Sequence, residues 1–72
     1  MNVAYDIATE QLRKASIILA AHEAVVDMLR ERGDLVGVRS NVARVNGMRV
    51  KVARIAAKQK TALATSIYFG SL

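Results

Sequence analysis

Apolar side chains recur along the first half of the chain with the alternating spacing of four and three residues that is typical of a packed helix. The spacing selects Ala4, Ala8, Gln11, Ala15, Ile18, His22, Val25 and Leu29. Leu12, Leu19 and Val26 widen this stripe on one flank. Gly33 follows the last apolar position and is suited to end a helix. The pattern predicts a long helix over residues 2–32.

A second apolar stripe lies on another face of the same helix. It consists of Ile17, Ala21, Ala24 and Met28, again spaced by four, three and four residues. A single antiparallel partner helix covers only one of the two stripes, and leaving the other in water would create an adhesive patch. We therefore expect copies of the chain to associate. The predicted self-association residues are Leu12, Ile17, Leu19, Ala21, Ala24, Val26, Met28, Tyr68 and Phe69.

The second half of the chain is compatible with two structures. As a helix, residues 38–69 place mainly apolar side chains on two neighbouring rows, Val38, Val45, Val52, Gln59 and Ser66 on one and Asn41, Met48, Ile55, Ala62 and Phe69 on the other. As strands, the valines around Asn46 and Gly47 indicate a β-hairpin, although that hairpin would place Arg44 opposite Arg49. We predict a mainly α fold, an antiparallel helical hairpin with a turn over 33–37. The alternative is an α-β-hairpin-α arrangement with strands around Asn46-Gly47.

Length and composition limit the chemistry that the chain can perform. Its 72 residues are 53% hydrophobic and 24% charged, which is typical of one folded domain over residues 1–72. The chain contains no cysteine and a single histidine, so a disulfide framework and a cysteine-rich zinc site are excluded. We interpret His22 as a structural residue of the stripe. Because no nucleophile with a base, no paired carboxylates and no glycine-rich loop are found, we predict a non-enzyme without a cofactor.

Targeting patterns are also missing from the sequence. Residues 1–12 contain Asp6 and Glu10 and no basic segment, so we expect no secretory signal peptide and synthesis in the cytoplasm. The most apolar stretch, residues 15–29, is interrupted by polar residues and is shorter than a membrane span, which needs about 20 apolar residues. We therefore predict no membrane span.

Charge is distributed unevenly along the chain, whose net charge is +5. Residues 1–34 contain six acidic and four basic residues, whereas residues 35–72 contain seven basic residues and no acidic one. Arg44, Lys51 and Lys58 recur every seven residues with Arg54 beside them, which forms one basic stripe on a helix. An anionic partner is indicated, either a nucleic-acid backbone, an acidic protein surface or another copy of the chain.

Three acidic residues of the first helix, Glu23, Asp27 and Glu31, follow one another at intervals of four residues. With the apolar stripe facing the second helical arm, we expect this acidic face to point away from that arm. It would then be free to contact the basic stripe of a neighbouring copy.

These patterns favour a small structural subunit that packs laterally with copies of itself into a filament, a rod or a virion-type assembly. One alternative is a module that binds nucleic acid through its basic second half. All three aromatic residues lie near the chain ends, away from the basic stripe, so we expect such binding to show no sequence preference. A further alternative is a helical adaptor that docks on an acidic protein.

Overall fold

The chain folds into two long helices that pack against each other in antiparallel orientation. The computed structural model describes residues 3–70, with α1 over Val3–Glu31 and α2 over Leu35–Gly70. The resulting rod measures 58 × 15 × 12 Å. The predicted mainly α hairpin is confirmed, and the region around Asn46-Gly47 is helix instead of strand.

The turn between the helices is shorter than the predicted turn over 33–37. Gly33 adopts a left-handed conformation with φ of 75°. The amides of Gly33 and Asp34 donate to the carbonyl oxygens of Arg30 and Leu29, which satisfies the end of α1 as a Schellman motif. The Asp34 carboxylate then accepts a hydrogen bond of 2.8 Å from the Gly37 amide and caps α2. Because of this cap, α2 begins at Leu35 and not at residue 38.

The predicted stripe of α1 has two rows, one at positions 4, 11, 18 and 25 and one at positions 8, 15, 22 and 29. The residues that face α2 agree with the second row and differ from the first. The seam of α1, its contact row toward α2, consists of Tyr5, Ala8, Leu12, Ala15, Leu19, His22, Val26 and Leu29. The predicted row of positions 4, 11, 18 and 25 was wrong, since Ile18 and Val25 are 51% and 42% exposed. The observed row replaces alanine and glutamine with tyrosine and leucine at its first two positions, and so buries more apolar surface.

The seam of α2 agrees with the helical prediction over most of its length. It consists of Val38, Asn41, Val45, Met48, Val52, Ile55, Gln59 and Ala62. The predicted continuation through Ser66 and Phe69 is exposed to solvent. The reason is length, because α2 has 36 residues and α1 only 29, so the last turns of α2 lack an opposing helix.

Two polar contacts fix the register of the hairpin. The Gln59 amide donates to the Thr9 hydroxyl at 2.8 Å, near the open end of the rod. Closer to the turn, the Arg49 guanidinium donates to the Glu23 carboxylate at 2.9 Å. A shift of one helix along the other would break both contacts, and polar seam residues commonly specify register in this way.

The buried core of the single hairpin is small. Its buried apolar residues, within the part of the chain that the structure describes, are Ala8, Val26, Val38, Val45 and Ile55. No side chain in that part is fully enclosed. A domain of this size rarely gains more than about 3–5 kcal/mol from one core. The isolated hairpin is therefore expected to be marginally stable.

A substitution at Gly47 tests the helical structure of the middle of α2. A β-carbon at this position meets no atom within 4 Å. Gly47→Ala should therefore raise the free energy of unfolding by about 1 kcal/mol, because alanine is the better helix former. Thermal and urea unfolding followed by circular dichroism measure this change. Gly33→Ala is the matched control and should destabilise, since Gly33 has positive φ; a destabilising Gly47→Ala would contradict the helix.

Candidate interaction surfaces

The two long edges of the rod, where α1 and α2 lie side by side, differ in chemistry. One edge combines acidic, basic and apolar side chains, and we call it the mixed edge. Its shallow depression is lined by Glu23, Val26, Asp27, Arg30, Val42, Val45, Asn46 and Arg49. Opposite charges face each other here across the two helices, so the mixed edge contributes to holding the hairpin together.

The predicted orientation of the acidic face was wrong for one of its three residues, Glu23. Glu23 is half-buried at the mixed edge and pairs with Arg49 of α2, so it points toward the second arm. Asp27 is exposed, with its carboxylate 4.0 Å from the Arg30 guanidinium. The physical reason is the shift of the α1 seam by one residue, which turns this side of α1 toward α2. Glu31 stays exposed at the end of α1.

A third carboxylate of α1 is also compensated within the chain. The Arg13 guanidinium donates two hydrogen bonds to the Glu10 carboxylate, at 2.6 and 3.1 Å. These hydrogen bonds lower the pKa of Glu10 below its ordinary value, because they favour the charged form. The Lys14 ammonium lies 4.0 Å from the same carboxylate.

The opposite edge of the rod, which we call the basic edge, carries a groove between the helices. The groove has a volume of about 410 Å³ and is lined by Gln11, Lys14, Ala15, Ile18, Lys51, Arg54, Ile55 and Lys58. Four cations therefore surround a floor that is largely apolar. Arg44 lies on the same row of α2 as Lys51 and Lys58, two turns nearer the inter-helix turn.

In the part of the chain that the structure describes, no acidic residue is among the side chains that line the groove of the basic edge. Within residues 3–70, Lys51, Arg54 and Lys58 form no salt bridge. The basic stripe noted in the sequence is thus one continuous surface whose cations form no salt bridge within residues 3–70. The structure places Lys14 of α1 beside it, and the Lys14 ammonium also lies 4.0 Å from the Glu10 carboxylate.

The second apolar stripe of α1 lies on the outside of the rod, away from α2. We call this surface the outer face; it consists of Ile17, Ala21, Ala24 and Met28 and is widened by Ile18 and Val25. Ile17 and Met28 are 56% and 42% exposed. Sequence reasoning missed the contribution of Ile18 and Val25 because it assigned them to the seam. The signal in the sequence is side-chain volume, because the row at positions 5, 12, 19 and 26 has larger apolar side chains at its first two positions than the row at 4, 11, 18 and 25.

Three residues predicted for self-association serve the hairpin itself. Leu12, Leu19 and Val26 lie in the α1 seam, and Val26 belongs to the buried cluster formed with Val38 and Val45. Their side chains face α2 and are not available to a second copy. This part of the predicted surface is corrected, again because the seam runs one residue later than expected.

Tyr68 and Phe69, the remaining predicted self-association residues, lie on the last turn of α2. Both are exposed, and their rings meet edge to face with centroids 5.3 Å apart. The antiparallel arrangement places Tyr5 at the same end of the rod, so the three aromatic residues cluster far from the turn. They do not border the groove of the basic edge.

His22 lies in the seam of α1 and not at either edge of the rod. His22 is half-buried in the seam, and its Nδ1 donates to the Ile18 carbonyl oxygen at 2.9 Å, within its own helix. Within residues 3–70, no three histidine or acidic side chains come together as metal ligands. In the same part of the chain, neither helix contains a stretch long and apolar enough to cross a bilayer.

Comparison with known proteins identifies no relative. No family model, no curated protein and no solved structure matches this chain. Its function must therefore be inferred from its own surfaces.

Proposed function

We propose that the chain is a non-enzymatic structural subunit that packs laterally with copies of itself. The observation that carries this proposal is the outer face, a continuous apolar surface on the side of α1 that α2 does not cover. Exposed apolar residues scattered singly are ordinary on proteins, but a contiguous stripe at helical spacing marks an interaction site. A helix from another copy can cover the stripe as α2 covers the seam.

The surface area of the rod supports the same proposal. The chain exposes 5513 Å², whereas a compact monomer of its mass should expose about 4,400 Å². The excess of about 1,100 Å² is similar to the roughly 800 Å² that each partner buries in a standard protein interface. Association would therefore bring the buried fraction of the chain close to that of an ordinary small domain.

The arrangement of the apolar surfaces favours assemblies larger than a dimer. Two copies related by a two-fold axis would cover each other's outer faces, and no further copy could bind at those faces. The aromatic end of the rod, with Tyr68 and Phe69, is a separate exposed surface that such a pair would leave open. Contacts at both surfaces would extend the array along the rods, as in a filament.

Sedimentation of the purified chain over a hundredfold range of concentration tests this proposal. We expect large species whose mass rises with concentration, and a helical circular dichroism signal that remains high as they form. The apolar driving force predicts that these species persist in 1 M NaCl, where surface ion pairs are screened. A stable, folded monomer at high concentration would exclude the structural role and favour the adaptor hypothesis.

A further inference from the structure

We infer that the basic edge of the assembled hairpin binds the phosphate backbone of a nucleic-acid duplex without reading its sequence. The inference rests on the proposed function, because it concerns the charge that an assembly of copies accumulates. It adds a class of partner and a binding site, defined by Lys14, Lys51, Arg54 and Lys58 with Arg44 on the same row.

The first step is that copies of the chain cannot neutralise one another. Each copy has a net charge of +5, so an assembly gains +5 with every subunit. Three carboxylates of α1 already face cations of their own chain, Glu10 with Arg13, Glu23 with Arg49 and Asp27 with Arg30. Few acidic groups are left to meet the basic edge of a neighbour. The compensating charge must therefore come from an external anion.

The second step is the linear form of the basic edge. Arg44, Lys51 and Lys58 follow one row of α2 over fourteen residues, which is about 21 Å at 1.5 Å per residue. A nucleic-acid duplex carries one negative charge per about 1.7 Å of its axis, a line charge denser than folded proteins present. A row of cations of this length on a rigid rod can lie alongside about six base pairs of a duplex.

The third step separates a nucleic acid from an anionic membrane. Apolar side chains that enter a lipid surface would have to come from the outer face, which lies beside the basic edge. In the assembly that face is covered by other copies, so the apolar groups left beside the cations are those on the floor of the groove, which lies between the helices. Nucleic-acid interfaces are polar and strongly positive, which agrees with the basic edge alone.

Within residues 3–70, the floor of the groove contains no aromatic or polar group for recognising bases. It is formed by Ala15, Ile18 and Ile55, and the aromatic residues lie elsewhere, at the open end of the rod. Base stacking needs aromatic groups, and none of the described residues that line the groove is aromatic. Gln11 and the groove cations are the residue types that contact base edges, but the cations also contact phosphates, which carry no sequence information. Binding should therefore depend on salt and be indifferent to sequence.

The test compares two double variants that remove the same charge from α2. Lys51→Gln with Lys58→Gln removes two of the four groove cations, and Arg39→Gln with Lys60→Gln removes two exposed cations away from the groove. Fluorescence anisotropy with a labelled 20-base-pair DNA duplex gives the apparent binding constant between 50 and 300 mM KCl. The logarithmic salt slope reports the number of phosphates neutralised.

We expect the wild-type chain to bind two unrelated duplexes equally within about twofold, with a slope of about −3.6 per bound chain for four neutralised phosphates. The groove variant should lower the slope to about half, whereas the control variant should leave it unchanged. Equal slopes for the two variants would overturn the assignment to the basic edge. Circular dichroism of both variants verifies that the hairpin is intact.

Three other outcomes separate this inference from the proposed function. Assembly by sedimentation without DNA binding at 50 mM KCl would overturn the inference and leave the structural role intact. DNA binding by a strictly monomeric chain would support the basic edge as a site and contradict the structural role. Binding to vesicles that contain phosphatidylserine, but not to DNA, would replace the nucleic acid with a lipid surface.

Discussion

Val26→Asp is expected to unfold the hairpin, whereas Val25→Asp should leave it folded. Val26 is 6% exposed and packs against Val38 and Val45 of α2, while Val25 is 42% exposed on the outer side of α1. A buried aspartate loses the packing of the valine and places a carboxylate in an apolar site, at a cost of about 3–5 kcal/mol. This equals the whole stability expected of so small a core. In the unassembled hairpin, the exposed substitution should cost less than about 1 kcal/mol.

Urea unfolding followed by the helical circular dichroism signal measures both effects. Both substitutions can be introduced into the Gly47→Ala chain, whose free energy of unfolding should be higher by about 1 kcal/mol. We expect Val26→Asp to show no cooperative transition at 25 °C and Val25→Asp to retain one. Because the two residues are neighbours and receive the same side chain, differences in helix propensity cancel. Equal stability of the two variants would contradict the observed seam and restore the row that the sequence pattern first indicated.

Ile17→Glu combined with Met28→Glu is expected to dissolve the assembly while the hairpin stays helical. Both side chains lie on the outer face, and neither contributes to the seam. Two carboxylates on this face would have to be buried without partners in each contact between copies, which costs several kcal/mol per contact. The apparent association constant should fall by at least about a hundredfold, because every 1.4 kcal/mol corresponds to a factor of ten.

The matched control is Ala20→Glu combined with Ala53→Glu. These two residues are exposed on the side of the mixed edge, one on each helix, and the substitution changes the net charge by the same amount. Sedimentation velocity at equal concentrations should show large species for the control and a single small species for the outer-face variant. If both double variants dissociate alike, net charge and not the outer face controls assembly.

The aromatic end and the basic edge have different expected roles in these experiments. Tyr68 and Phe69 extend beyond the first turn of α1, so changes there should limit the growth of the array without affecting the hairpin. The basic edge should affect nucleic-acid binding and its salt dependence. A variant that changes one property alone therefore identifies the surface that is responsible.

Much of the fold was predictable because it depends on local pattern. The repeated spacing of four and three residues, the good helix formers between the repeats and the glycine at position 33 locate two helices and the stop between them. The α2 seam was also predictable, since only one row of that helix combines Val38, Val45 and Val52. The early start of α2 follows from Asp34, an aspartate at the N-cap position, which is also a local feature of the sequence.

Local pattern could not decide which of two adjacent rows of α1 faces α2. Ile18 with Val25 and Leu19 with Val26 are almost equally apolar, so the choice depends on the total surface that α2 buries against each row. Relative to the predicted packing, α1 is rotated about its axis by one residue. As a result, Glu23 lies at the mixed edge, where it pairs with Arg49, and Ile18 lies beside the groove. Periodicity therefore determines that α1 has a second apolar face with Ile17 and Met28, and packing against α2 determines that Ile18 and Val25 are exposed beside it while Leu19 and Val26 are covered.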